Sequence, residues 1–393
     1  MDISFHYFAV KTLAREAGFD EDEAQQIATF SQYIDDFNAW VYRRYGNVPE
    51  YIVNSDRYDL YLSNPLDPAN FNPATTGFMS GSWFSSYMDY FWLLKGSAQK
   101  FTVSPFHFIP LDRANFDAGD FRAVPATLQD GSFISDALAA AGAELKERQD
   151  DDERRIRLMH IGMLLHTFAD TYAHQLFSGY NSPLNAASIT RVVNNITGAD
   201  QTDKYKDWIA SFFDWLTSIG FPSVQIGHMN VGHVPDLTHL SFTMSYPLRD
   251  GGTGTYTRSN TAEFLRTSRQ IVDYLRDCRG QGKIPEVEWE VLSEGLSQCF
   301  LVDISDLSKE KEIVGTLAPV WRGVFGYEYG YDHTQIFDGI IGEEREQPPE
   351  DGSEGVAVAE DGLFPDMEDA FYRFNCYAED LLITLYGIKP RDQ

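Results

Sequence analysis

Cysteine is scarce in this chain. Its three, Cys278, Cys299 and Cys376, lie far apart, are odd in number and show no CxxC spacing. That pattern excludes a disulfide framework and a thiolate metal site, and leaves buried free thiols as the expectation. Positive charge is also short, with 31 Lys and Arg against 59 Asp and Glu and a net charge of -28. Such a surface is a poor partner for duplex nucleic acid, which is held through basic patches. Long hydrophobic runs are missing as well. The longest candidate, Trp83 to Leu94, is interrupted by Asp89, so no transmembrane helix is expected. The opening MDISFHYFAVKTLA has no basic region followed by an apolar core and a cleavage site. A secretory signal is therefore not expected, and a reducing cytoplasmic setting is.

What is plentiful is apolar and aromatic: 43% hydrophobic residues and 14% Phe, Trp and Tyr over 393 residues. A chain of that size and composition can fill a large core, as one domain or two. Helical patterns dominate. Phe5 to Ala17 reads as a helix closed by Gly18. Asp20 and Glu23 make a capping box for a helix from about Glu21 to Arg43. Asn64 to Ser82 reads as a loop, Trp83 to Lys95 as a short aromatic helix, and Thr102 to Pro110 as an extended segment. Ser135 to Glu147 and Asp152 to Phe177 read as helices. Further helices are expected at Asp203 to Ser218, Thr261 to Cys278, Glu286 to Gln298, Lys309 to Val324 and Met367 to Tyr386. A small hairpin is expected over Thr243 to Thr257, and an acidic solvated loop over Glu343 to Asp366. The fold class is mainly α with minor extended segments. Residues 1–250 read as a metal-binding helical core and 251–393 as a C-terminal helical extension packed on it.

One stretch carries chemistry: MHIGMLLHTFADTYAHQ, Met159 to Gln175. At about 100° per residue, His166, Asp170 and His174 fall on successive turns of one helix face. Three such groups on an apolar face are costly to bury unless they bind something. Imidazole with carboxylate and no thiolate suits zinc and similar divalent ions. His160 is rotated away and reads as a core residue or a support for a ligand. Asp35 falls on the inward face of its helix and Asp36 is rotated away from it, whereas His228 and the local pair His233 and Asp236 both suit a ligand role. Trp208, Phe212 and Trp215 form a stripe that reads as core.

The segments FHYFAVKTLAREAGF, SQYIDD, PFHFIP, HIGMLLHTFADTYAHQLFSG and GH…PD together resemble an uncharacterised bacterial family classed only as a domain of unknown function. The order of their His and Asp residues also resembles the α-helical superfamily of zinc-dependent phospholipases C and single-strand-specific zinc nucleases. That resemblance implies a multi-helix bundle of the zinc-dependent phospholipase C type, holding two or three zinc ions. Residue by residue, it implies that His6, with Asp2 in place of the superfamily's terminal amine, serves one ion. Asp35, His107, His166 and Asp170 surround a second, and His174, His228 and Asp236 hold a third. It further implies a metal-bridging water as nucleophile, with Asp35 as the assisting base. The substrate class is a small-molecule or lipid phosphoester.

Overall fold

The computed structural model describes residues 1–37, 50, 75–77, 93–147, 150–337 and 366–386. The helix expected at Trp83 to Lys95, the loop at Asn64 to Ser82 and the acidic loop after Glu343 lie almost wholly outside the described residues, whereas the helix expected to run from Glu21 to about Arg43 stops at Asp36, where Phe37 turns extended.

A π-helical turn, Ser4–Ala9, runs into α1 (Val10–Glu16). α2 (Glu21–Asp36) starts at the expected capping box: Asp20 accepts from the Glu23 N–H at 2.8 Å, and Glu23 accepts from the Asp20 N–H at 3.1 Å. Two further turns, Gln99–Val103 and α3 (Ser104–His107), carry His107. The segment expected to be extended is thus helical as far as His107, continuing without a break the helical turns that start at Gly96. α4 (Phe133–Lys146) leads to the long α5 (Asp151–Ala173).

α5 is the spine of the molecule. Asp150 caps it, and Asp151, Asp152 and Glu153 face its positive end. From Leu158 onward almost every residue is buried, which suits a helix apolar on all sides. It crosses α2 so closely that a Cβ on Gly162 would lie 2.3 Å from the Ile27 carbonyl oxygen. The helix ends earlier than expected, with His174 as its C-cap. Leu176 N–H bonds to Ala123, and Ala123 N–H bonds to Phe177, so the backbone pairs sideways instead of continuing the helix.

β1 (Ser188–Asn194), β2 (Leu240–Pro247) and β3 (Thr253–Ser259) form an antiparallel sheet in that order. The β2–β3 hairpin was expected; β1 has no equivalent in the sequence reading. α6 (Thr202–Ser218) packs on β1, and α7 (Asn260–Cys278) packs on α1 and α5. α8 (Glu286–Phe300), α9 (Glu310–Phe325) and α10 (Met367–Tyr386) follow. Phe337, Phe371 and Phe374 close over Phe30, Tyr33 and Phe37, so C-terminal residues cover the outer side of α2. The protein is mainly helical, and no helix among the described residues is long and apolar enough to cross a membrane.

α6 corrects one expectation. Trp208 and Trp215 are 46% and 40% exposed, and only Tyr205 and Leu216 of that helix are buried. The aromatic stripe is therefore not core. The ring of Trp208 sits 5.8 Å from that of His233.

Candidate metal centre

Asp170, in the last turn of α5, is the point on which the site converges. Its Oδ1 takes the amino group of Met1 at 2.5 Å and His6 Nε2 at 3.1 Å. Its Oδ2 faces His107 Nδ1 and His166 Nε2, each at 3.2 Å. Asp35 Oδ1 stands 3.7 Å from those same two imidazole nitrogens. Beyond the helix end, His174 Nε2 lies 3.1 Å from Asp236 Oδ1, and His228 Nε2 lies 3.4 Å from Asp236 Oδ2. The ligand atoms fall into sets close enough to share one cation: His6, His166 and Asp170; Asp35, His107 and His166; and His174, His228 and Asp236.

The imidazoles are oriented by backbone. His107 Nε2 bonds to the Thr76 carbonyl at 2.7 Å and His166 Nδ1 to that of Ser31 at 2.8 Å. His174 Nδ1 bonds to the His107 carbonyl at 2.7 Å and His228 Nδ1 to that of Gly232 at 2.8 Å. A carbonyl oxygen can only accept, so each of these ring nitrogens carries the hydrogen. In a neutral ring the opposite nitrogen then presents its lone pair, as His166 Nε2 does toward Asp170 and His228 Nε2 toward Asp236. Burial lowers the pKa of His166 and of His228 from 6.5 to about 4, so neither is an imidazolium at neutral pH. Lone pairs aimed at carboxylate oxygens repel unless a cation lies among them, and such backbone bonds are the usual support for histidine ligands. The donor set, nitrogen and oxygen without sulfur, fits a divalent ion of the zinc type.

Charge tells the same story. Burial would raise the Asp170 carboxyl, but His174, the Met1 ammonium, His166 and His6 hold it well below the usual range. Burial and then the charge of Asp170 push Asp35 well above it. Burial opposes the charge on the Met1 amine, yet Asp170, Asp236 and Asp35 raise its pKa to about 10. A positive group already lies where the carboxylates meet.

Of the nine residues expected as ligands, eight are brought together. Asp2 is not. Its carboxylate turns back to accept the Ser4 N–H at 2.9 Å, and the Met1 amine itself reaches Asp170. Asp36 bonds instead to Tyr331 and Gln32, at 2.6 and 3.0 Å, which leaves the inward place to Asp35. His233 is 54% exposed on its side chain and reaches only Asp236, at 3.5 Å. His160 stacks on Tyr377, rings 3.8 Å apart, away from the centre. The orienting carbonyls of Ser31, Thr76, His107 and Gly232 carry no sequence signal, because any residue supplies one.

A family model, described as a family of unknown function (DUF6765), matches residues 1–374. The chain belongs to that family. No curated protein and no solved structure matches it. The family match extends well past the first 250 residues and takes in α7, α8 and α9.

Proposed function

We propose that this chain is a metal-dependent hydrolase, with zinc as the resident ion, acting on a phosphoester of the phospholipase C or small phosphodiester kind. The observation that carries the reading is the pair of neutral, backbone-locked imidazoles, His166 and His228, whose lone pairs face Asp170 and Asp236. His6, with Asp170, would hold one ion, Asp35, His107, His166 and Asp170 a second, and His174, His228 and Asp236 a third. When bound, neighbouring ions would supply an activated water and stabilise charge at phosphorus.

The chain's own residues do the rest. Asp170 directs one oxygen to each side and so joins two ligand sets. Asp35, whose side chain is 12% exposed while that of Asp170 is 1% exposed, is the carboxylate nearer solvent. Its place beside His107 and His166 suits a base that takes the proton of an attacking water. The net charge of -28 favours a small or lipid substrate over a nucleic acid polyanion. Three unpaired thiols, all buried, suit the reducing cytoplasmic setting.

A non-catalytic metal-stabilised fold is the second reading, favoured by the near-complete burial of His6, His166 and Asp170, since structural sites are closed. Zinc-loaded and chelated protein assayed on an activated phosphodiester separates the two. Turnover that needs zinc and is lost in Asp35→Asn supports the enzyme. Metal uptake without turnover on any phosphoester supports the second reading.

A further inference from the structure

Arg258, at the end of β3, is a buried cation that the metal ligand sets do not use. It is 7% exposed, and it donates three hydrogen bonds to neutral oxygens. Nη1 donates to the Tyr172 carbonyl and Nη2 to the Pro235 carbonyl, both at 2.6 Å, and Nε donates to Asn260 Oδ1 at 2.7 Å. Asn260 is fully buried and donates to the Val234 and Leu237 carbonyls at 2.7 and 2.8 Å. Phe242 covers the guanidinium, 5.1 Å from its ring centre.

These acceptors are not scattered. Tyr172 lies two residues before His174, in the last turn of α5, where carbonyls have no helical partner and the helix end is negative. Pro235 precedes Asp236, and Val234 and Leu237 flank it. One two-residue unit thus ties the end of α5 to the 234–237 loop. The side chains carried by those two segments, His174 and Asp236, meet at 3.1 Å. A planar fork with five donors can hold two backbones at a fixed separation, which a lysine or a neutral side chain cannot.

We propose that Arg258, held by Asn260, is a positioning residue for the cation position formed by His174, His228 and Asp236, and sets the gap between its two halves. The other ligand sets take His6 from the π-helical turn, Asp35 from α2, His107 from α3 and His166 and Asp170 from α5, and neither takes a residue from the 234–237 loop. The inference rests on the metal reading above. It would also give the C-terminal part of the chain a defined part in the centre, because Arg258 and Asn260 both lie past residue 250.

The test is stoichiometry and affinity, with no substrate present. Full-length wild type, Arg258→Met, Arg258→Lys and Asn260→Ala are stripped with chelator and titrated with zinc chloride, then with cobalt chloride for its visible absorption. Wild type should bind in resolved equivalents. Arg258→Met should weaken one equivalent by about 10–100-fold, the usual loss when a ligand's support is removed, and leave the others within about twofold. His174→Asn should weaken that same equivalent, and its cobalt bands should be the ones that change in Arg258→Met. Arg258→Lys, the gentler variant, should show a partial loss confined to the same equivalent. Unchanged affinities in folded Arg258→Met, or a uniform loss across all equivalents in folded Arg258→Lys, would overturn the proposal while leaving the metal reading intact. A wild type that binds no metal would overturn both.

Discussion

His166 Nε2 points at Asp170 Oδ2 from 3.2 Å, while the same ring's Nδ1 donates to the Ser31 carbonyl at 2.8 Å. The imidazole cannot turn to offer its hydrogen to the carboxylate without abandoning a buried carbonyl, which costs about 1–3 kcal/mol. The two groups are therefore held in a repulsive pose that a cation would convert into an attractive one.

Metal should accordingly act as a folding ligand. With free zinc at 1,000 times its dissociation constant, stabilisation of about 4 kcal/mol per site is expected. Thermal unfolding in zinc against unfolding in chelator measures it. Identical midpoints in the two conditions would remove the metal from every reading given above.

Gly232 gives a second, local prediction. It has φ 57° and ψ -150°, a conformation essentially restricted to glycine, and a Cβ there would lie 2.4 Å from Trp208 Cζ3. Its carbonyl orients His228. Gly232→Ala should lose about 1–3 kcal/mol of stability and weaken the cation position that uses His228. Trp208→Ala opens the space but leaves the backbone strain, so the double variant should recover only part of the loss. Denaturant unfolding of the three variants decides this; full recovery in the double variant would mean that the clash alone, not the backbone, sets the requirement.

The pH dependence of the metal-free protein follows from its histidines. Burial lowers His166 and His228 from 6.5 to about 4 and His160 from 6.5 to about 3. Between those limits the unfolded chain binds more protons than the folded one, so stability rises with pH. The contribution of these groups is whole above pH 6.5 and falls away as the pH drops toward 4. Asp2 works in the opposite sense: burial raises it from 3.8 to about 7, so its contribution is lost as the pH rises through 7. Comparing wild type with His166→Gln in chelator isolates one histidine. The variant's stability should fall less steeply from pH 6.5 to 4, by about 1.4 kcal/mol per pH unit. Parallel curves would show that His166 is already charged when folded.

The sequence disclosed helices better than it disclosed their ends. The Asp20 and Glu23 box and the apolar run of α5 are local signals, and both elements begin where they are expected. The stop at Ala173 depends on Ala123, some fifty residues earlier, so helical periodicity carried His174 one residue too far along the axis. His107 was found for its chemistry, though its segment was misread as extended. Trp208, Phe212 and Trp215 were read as core because spacing shows only that three aromatics share a face. Whether anything covers that face is decided by tertiary packing. Arg258 and Tyr331 are hidden for a related reason: Arg258 holds the Tyr172 and Pro235 carbonyls, which any residue supplies, and Tyr331 meets Asp36 from 295 residues away.

Asp35 and Asp36, adjacent in the chain, should respond in opposite ways to loss of charge. Asp35 faces His107 and His166, and burial and the Asp170 charge push its carboxyl well above the usual range. Removing that charge relieves like-charge crowding, so Asp35→Asn should leave the metal-free protein as stable as wild type or more so. The same change removes an anionic ligand and should cut affinity for one zinc by at least about tenfold, taking any hydrolysis with it. Asp36 accepts from Tyr331 at 2.6 Å and from Gln32 at 3.0 Å, and so ties the C-terminal segment to α2. An amide there offers one acceptor oxygen in place of two, so Asp36→Asn should destabilise the fold by about 1–3 kcal/mol and retain every zinc equivalent. Zinc titration and chemical unfolding of the two single variants read both effects. A loss of zinc in Asp36→Asn, with Asp35→Asn unaffected, would exchange the roles of the two carboxylates.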